Sequence, residues 1–369
     1  SYDRERLAEI RKMLREDIRA PGWTISDRQA WERLALDPNF ASIPAAAEKL
    51  LTTPMPEQPD DLYLEYSRTG NRTNWHRVAV GRRGRLTTLV LAECIENKGR
   101  FIPALEELIT ALCAERTWVH PAHDGSLVNF EGKSVTIDLT SSALAWNLAM
   151  TDWLLGSKLR PEVLQELRAK VRIRVIKPYL DTIRGKRPAE FWVRATHNWN
   201  PVCLAGVTGA GLIELDSPDE RAELIAAAEA NSNYYLSGFT EDGYCSEGIG
   251  YWSYGFGHFA ALSEVVRFVT GGGIDLLSHA EARMPSLFGF RTELSNGIFP
   301  AFADCSVHQR PAGALLWLLN RRLGLGIDRY GKLPDVGNLG ASGVGGGFLC
   351  TAMVCAQVAA EPIPKGGDG

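Results

Sequence analysis

No stretch of this chain stays apolar for the ~20 residues that a helix needs to cross a bilayer. The nearest approach, AGALLWLLN at 312–320, has the length of a buried helix, so no membrane partner is expected. Basic charge is also in short supply. Forty Lys and Arg stand against 44 Asp and Glu, for a net charge of −4. That balance argues against a nucleic-acid partner, because phosphate binding needs a basic excess. The one dense basic run, GRRGR at 81–85, reads as a solvated turn. Cysteine is sparse and unpatterned: the seven, at 94, 113, 203, 245, 305, 350 and 355, make no CxxC pair and no zinc-type spacing. No metal or cofactor is therefore expected. Their odd number leaves at least one thiol free, and buried free thiols are the simplest expectation. Strand-like alternation is confined to SLVNFEGKSVTIDL at 126–139, which reads as a hairpin turning near NFEG.

What the chain has in abundance is helical periodicity. Apolar residues recur at three- and four-residue steps in RERLAEIRKMLREDI, in FIPALEELITALCAE (101–115) and in PEVLQELRAKVRIRVIKPYL (161–180). The N-terminal run is a charged amphipathic helix rather than a secretion signal. About a dozen such segments, joined by short Gly, Pro, Asn and Asp punctuation, define a large all-α domain. Successive pairs suit helical hairpins packed side by side, and closing them into a ring is one way to bury every apolar face. No strict repeat marks a solenoid. The expected division is a helical domain at 1–335 and a glycine-rich segment with a tail at 336–369.

Two stretches concentrate chemistry. In RATHNWNPVCLAGVTGAGL (194–212), Asn200 followed by Pro201 is a good helix start. His197, Asn198 and Trp199 would then precede a helix N-terminus, whose free amides and dipole attract anions. A capping loop with a buried tryptophan would read the same way. In EDGYCSEGIGYWSYGFGHF (241–259), a helix beginning near Gly250 places Tyr251, Tyr254 and His258 on one face. Leu262 and Val265 continue that face, so it passes from polar aromatic to apolar, while Trp252 lies off it and packs elsewhere. An aromatic core with satisfied hydroxyls is the competing explanation. Further polar candidates are Arg72, Trp75, His76, Trp118, His123, Asp304, His308 and Arg310: the tryptophans as surfaces for sugar rings, the arginines for carboxylates.

Together, ERTWVHPAHD, IDLTSSALAWNLAM, KPYL, THNWNPVCLAG, DGYCSEGIGYWSYG and FADC resemble the helical domain of heparinase II/III-like and related alginate and glucuronan lyases. The likeness spans roughly residues 70 to 310. It implies an incomplete (α/α) toroid of six to seven helical hairpins with little β structure, and a cleft across one end. It also implies β-elimination on a 4-linked uronic acid, an anionic polysaccharide partner, and a secreted or periplasmic location. The C5 proton of a uronate is too weakly acidic to remove until the adjacent carboxylate is neutralised; a base then takes it while an acid protonates the leaving oxygen.

Carried over residue by residue, His197 and Asn198 match the neutralising pair and Tyr251 the catalytic tyrosine, with Tyr254 one turn away as the alternative. Glu190 is expected to orient His197, and Glu247 to hold the tyrosine loop or a sugar hydroxyl. Arg194, Trp199, Arg72, Trp75, Trp118, His123, His258, Asp304 and His308 are candidates for substrate contact. Many relatives carry a C-terminal β-sandwich, and the stretch after Cys305 is too short for one, so the single-domain form is expected. A toroid hydrolase using two of Asp138, Glu190, Asp242, Glu247 and Asp304, or a glycan-binding protein without catalysis, remains open at this point.

Overall fold

The computed structural model describes residues 3–295, 297–301, 303, 306, 308–334 and 348–363. Within them the chain is helical, and its only β feature is an isolated bridge between Ser295 and Ile298. The first half contains α1 (Arg4–Met13), α2 (Arg28–Leu36), α3 (Ile43–Thr52), α4 (Asp60–Thr69), α5 (Thr73–Glu96), α6 (Ile102–Ala114), α7 (Leu139–Leu155), α8 (Pro161–Val171) and α9 (Lys177–Ile183). The second contains α10 (Trp199–Glu214), α11 (Pro218–Leu236), α12 (Ile249–Val269), α13 (Ala280–Arg291), α14 (Gly313–Arg322) and α15 (Phe348–Ala360).

Local chemistry explains many of the boundaries. Asp3, Asp27 and Ser217 cap α1, α2 and α11 through their side chains. Asn97, in the left-handed conformation, ends α5. Helices α8 and α9 form one rod interrupted by a π-turn at 172–176, where the Lys177 amide reaches back to the Arg172 carbonyl. Pro178 follows at once. It lacks an amide and crowds the preceding turn, so the wider turn accommodates it without breaking the rod.

The centre of the molecule is the pair α7 and α10. Both are buried almost all round rather than along one stripe, which marks a helix enclosed by others. They run parallel and very close: a Cβ on Gly206 would lie 2.6 Å from the Ser142 carbonyl oxygen, and one on Gly209 2.1 Å from Trp146 Nε1. No side chain larger than hydrogen fits either position. Helices α5 and α8 pack beside α7, α11 and α12 beside α10, and α1 against α11.

Several expectations are corrected. The segment 126–139 is a chain of turns: Asp124 accepts from the Asn129 and Phe130 amides, and Asn129 bonds Thr136 through both its side-chain ends. These local bonds take the place of a strand ladder. GRRGR is the middle of α5, not a solvated turn. Arg82 and Arg83 are buried beside Glu115, and Arg85 ties α5 to carbonyls of Leu50 and Pro54. Within 336–369 the apolar run after the glycine-rich segment forms α15, packed on α7 and α12, with Arg321 and Arg267 bonded to Val358 and Glu361. Five cysteines, 94, 113, 203, 350 and 355, are buried and free, and Cys245 is buried; Cys305 lies outside the described residues.

Candidate functional site

The site is assembled from the N-terminal ends of α7, α10 and α12. Helix α10 begins at Trp199 with Asn198 as its capping position, two residues earlier than the Asn200–Pro201 pair implies. Asn200 instead lies inside the first turn, fully buried, and its amide donates to the carbonyls of Val193 and Asn231. Asn198 is buried and is clasped by Glu247. Its side-chain nitrogen donates to Glu247 Oε1 at 3.0 Å and its backbone amide to Oε2 at 3.3 Å.

Glu247 immediately precedes Gly248, whose φ of 90° turns the chain into α12. One carboxylate therefore joins the start of α10 to the start of α12. A second close approach supports the joint, because a Cβ on Gly255 would come within 3.2 Å of Asn198 Cβ. Helix α12 presents the expected stripe. Tyr251 is 38% exposed, Tyr254 and His258 are half-buried, and Leu262 and Val265 are buried. Trp252 is fully enclosed, stacked on Phe256 and bonded to the Pro285 carbonyl. Burial, then the neighbouring Cys203 and Asp138, push the Tyr254 hydroxyl far above its ordinary value, so it stays protonated. His258 turns its Nδ1 to the Tyr254 carbonyl, 2.7 Å away, and burial lowers it.

From α7 comes Asp138, a buried carboxylate in a reciprocal cap with Ser141. It also accepts from Thr140 Oγ1, the His120 amide and, at 2.6 Å, His123 Nδ1. Burial alone would raise its pKa. The His123 bond and charge and the two backbone amides outweigh that and bring it down to about 2. His123 packs edge-on against Trp199 with ring centres 4.6 Å apart, and Trp199 meets Phe191 at 4.8 Å. His197, half-buried, lies beyond, 6.4 Å from Phe191. On the other side of His123 stand His120 (5.2 Å) and then His76. His120 Nδ1 accepts the Ala122 amide, so its Nε2 carries the proton, and that atom is buried without a partner. Burial, then His123, push His120 down to about 3.

The remaining expectations divide sharply. Trp75 and Trp118 are each about 1% exposed, inside the core, and cannot offer a face to a sugar. Trp75 sits edge-on to Tyr63 and His120, and Trp118 donates to the Leu112 carbonyl beneath Arg174. Glu190 is not spent on His197: its oxygens accept from the Ile137 amide, Arg187 and Trp192 Nε1. Arg72 and Arg194 are exposed, and Arg72 is near enough to lower His76 and His120 electrostatically. His308 is exposed with a φ of 73°. Asp304 lies outside the described residues. Phe191, 63% exposed beside Trp199, was not among the sequence candidates. Its position directly after Glu190, in the loop leading to HNWN, was the available signal.

No protein-family model matches the sequence, and no curated protein matches it either.

Proposed function

We propose that the protein is a polysaccharide lyase that cleaves a 4-linked uronic-acid polymer, glucuronan or alginate in preference, by β-elimination. In this reading the helices form an incomplete (α/α) toroid whose cleft lies over the starts of α7, α10 and α12. The observation that carries the proposal is the Glu247–Asn198 joint. It sets the neutralising candidates, His197 and Asn198, beside the helix that bears Tyr251 and Tyr254. The converging helix N-termini favour an anion, as a uronate requires. Exposed Arg72 and Arg194 add positive charge, and Phe191 and Trp199 supply an apolar face for a sugar ring.

His197 and Asn198 would neutralise the carboxylate so that charge can develop at C5, and Tyr251 would serve proton transfer at the glycosidic oxygen. A hydrolase would need two available carboxylates. Asp138, Glu190 and Glu247 are each committed to several donors, which favours elimination over hydrolysis.

The test is incubation with polyglucuronate, polymannuronate, polyguluronate and heparan-type chains, following the ultraviolet absorbance of an unsaturated uronate. A lyase yields that absorbance on at least one polymer. Shortened chains without it would show a hydrolase, and unchanged polymer a binding protein. His197→Ala should lower kcat by ~100-fold with a smaller change in KM, since neutralisation matters most as charge develops. A change in KM alone would make His197 a substrate-binding residue.

A further inference from the structure

The tyrosines of α12 leave a gap in the proton accounting. A tyrosine acts as a base only with cationic help, because its reference pKa is ~10. Around Tyr254, burial and then the Asp138 charge work in the opposite direction. A protonated tyrosine is a good acid for a leaving oxygen and a poor acceptor for a carbon-bound proton, so Tyr254 is not that acceptor.

The geometry points to His123. Asp138 is ionised and can only accept, so His123 Nδ1 is the donor in their 2.6 Å bond and Nε2 holds the lone pair. Asp138 is itself held by the Ser141 and His120 amides and by Thr140, which leaves the imidazole little freedom to turn. The His123 side chain is 20% exposed against 3% for Asp138, so the pair opens outward at the histidine. Its ring lies against Trp199, the residue after the His197–Asn198 pair. Among the described residues no other histidine is paired with a carboxylate. A histidine whose far nitrogen is anchored by a buried carboxylate is well suited to accept a proton near neutral pH, because the carboxylate stabilises the imidazolium that forms.

We propose that His123, anchored by Asp138, is the base that removes the C5 proton, an assignment that rests on the β-elimination reading above. The Nε2 lone pair takes the proton, and the C5–H electron pair becomes the C4=C5 double bond. The C4–O4 bond breaks with its electrons leaving on O4, which takes the hydroxyl proton of Tyr251. Solvent then removes the proton from His123 and returns one to Tyr251.

The experiment separates the two proton transfers by running the reaction in D2O and measuring deuterium at C5 alongside the unsaturated product. Tyr251→Phe should lose product by ~100-fold or more yet still exchange C5–H. His123→Gln, which can keep a hydrogen bond to Asp138, should lose both. Exchange that survives in His123→Gln and vanishes in Tyr251→Phe would overturn the assignment while leaving the lyase intact. Neither product nor exchange from the wild type on any of the four polymers would remove the lyase reading and this assignment together. If circular dichroism shows that His123→Gln does not fold, the pD dependence of exchange in Tyr251→Phe decides instead. Its midpoint should coincide with the NMR titration of the His123 Cε1 proton, and a different midpoint would rule His123 out as the base.

Discussion

The two ends of the parallel pair α7 and α10 hold buried carboxylates in opposite circumstances. At the N-terminal end, Asp138 meets free backbone amides, a threonine hydroxyl and His123, and it is held ionised. At the C-terminal end, Asp152 and Glu214 share a single close cation, Arg168, bonded to Asp152 at 2.5 and 2.9 Å but 4.0 Å from Glu214. Arg19 opposes the shift of Glu214 only weakly and spends a nitrogen on the Ile213 and Leu215 carbonyls. Burial, then the Asp152 charge, push Glu214 well above the carboxylate range, so that it is held protonated and bonded to Asp152. The difference follows from helix polarity: N-termini offer unpaired donors and positive potential, and C-termini offer carbonyls and the reverse. The same residue class is a fixed anion at one end and a neutral acid at the other, and this explains why the candidate chemistry gathers at the first.

The comparison breaks most decisively at Asp138. Asp138→Asn removes the charge from a buried pair and one of the two oxygens that accept backbone amides. It should cost ~3 kcal/mol in urea unfolding and abolish turnover. A variant as stable as wild type would refute the description of that end. Glu214→Gln should instead be nearly neutral in acid.

Its effect appears as the pH rises. Glu214 is protonated in the fold and ionises near 4.5 when unfolded, so the folded state binds more protons and wild-type stability falls as pH climbs above that value. Glutamine has no proton to lose. Unfolding curves of Glu214→Gln should therefore decline less steeply with pH than wild type, and parallel curves would contradict the assignment. Asp138 has the opposite sign. Its contribution is complete above the unfolded value of 3.8 and is lost as pH falls through about 2. The smallest effect is expected at the exposed Phe191. Phe191→Ala should weaken polymer binding several-fold with little loss of stability, whereas Trp118→Ala should cost ~3–5 kcal/mol of stability. Calorimetric binding beside thermal melts would show whether the two aromatics differ in this way.

The helical class was legible because periodicity survives in 101–115 and 161–180 whatever surrounds them. The contents of the candidate site were legible for a different reason: HNWN and EGIGYWSYG each carry polar and aromatic groups at a helix start, where cores rarely put them. What could not be read was partnership. Nothing in the spacing of His123 and Asp138 announces their bond, because the intervening loop is shaped by Asp124 and Asn129 rather than by a repeating pattern. Glu190 was given the wrong partner for the same reason. Trp75 and Trp118 were misread because a tryptophan's sequence neighbours do not reveal which way it faces. GRRGR looked exposed because buried arginines depend on a distant acid, here Glu115, that local composition does not show.

The buried free cysteines carry a practical consequence. Burial pushes the thiols of Cys94, Cys113, Cys203, Cys350 and Cys355 up, to about 12 at Cys113 and Cys355, so little thiolate exists to react while the fold is closed. They are distributed over α5, α6, α10 and α15, that is, over one flank of the central pair, one member of the pair and the helix that closes on it. A slow thiol-labelling reaction read by mass spectrometry would thus act as a set of internal clocks, each timing how often its own helix parts from the rest.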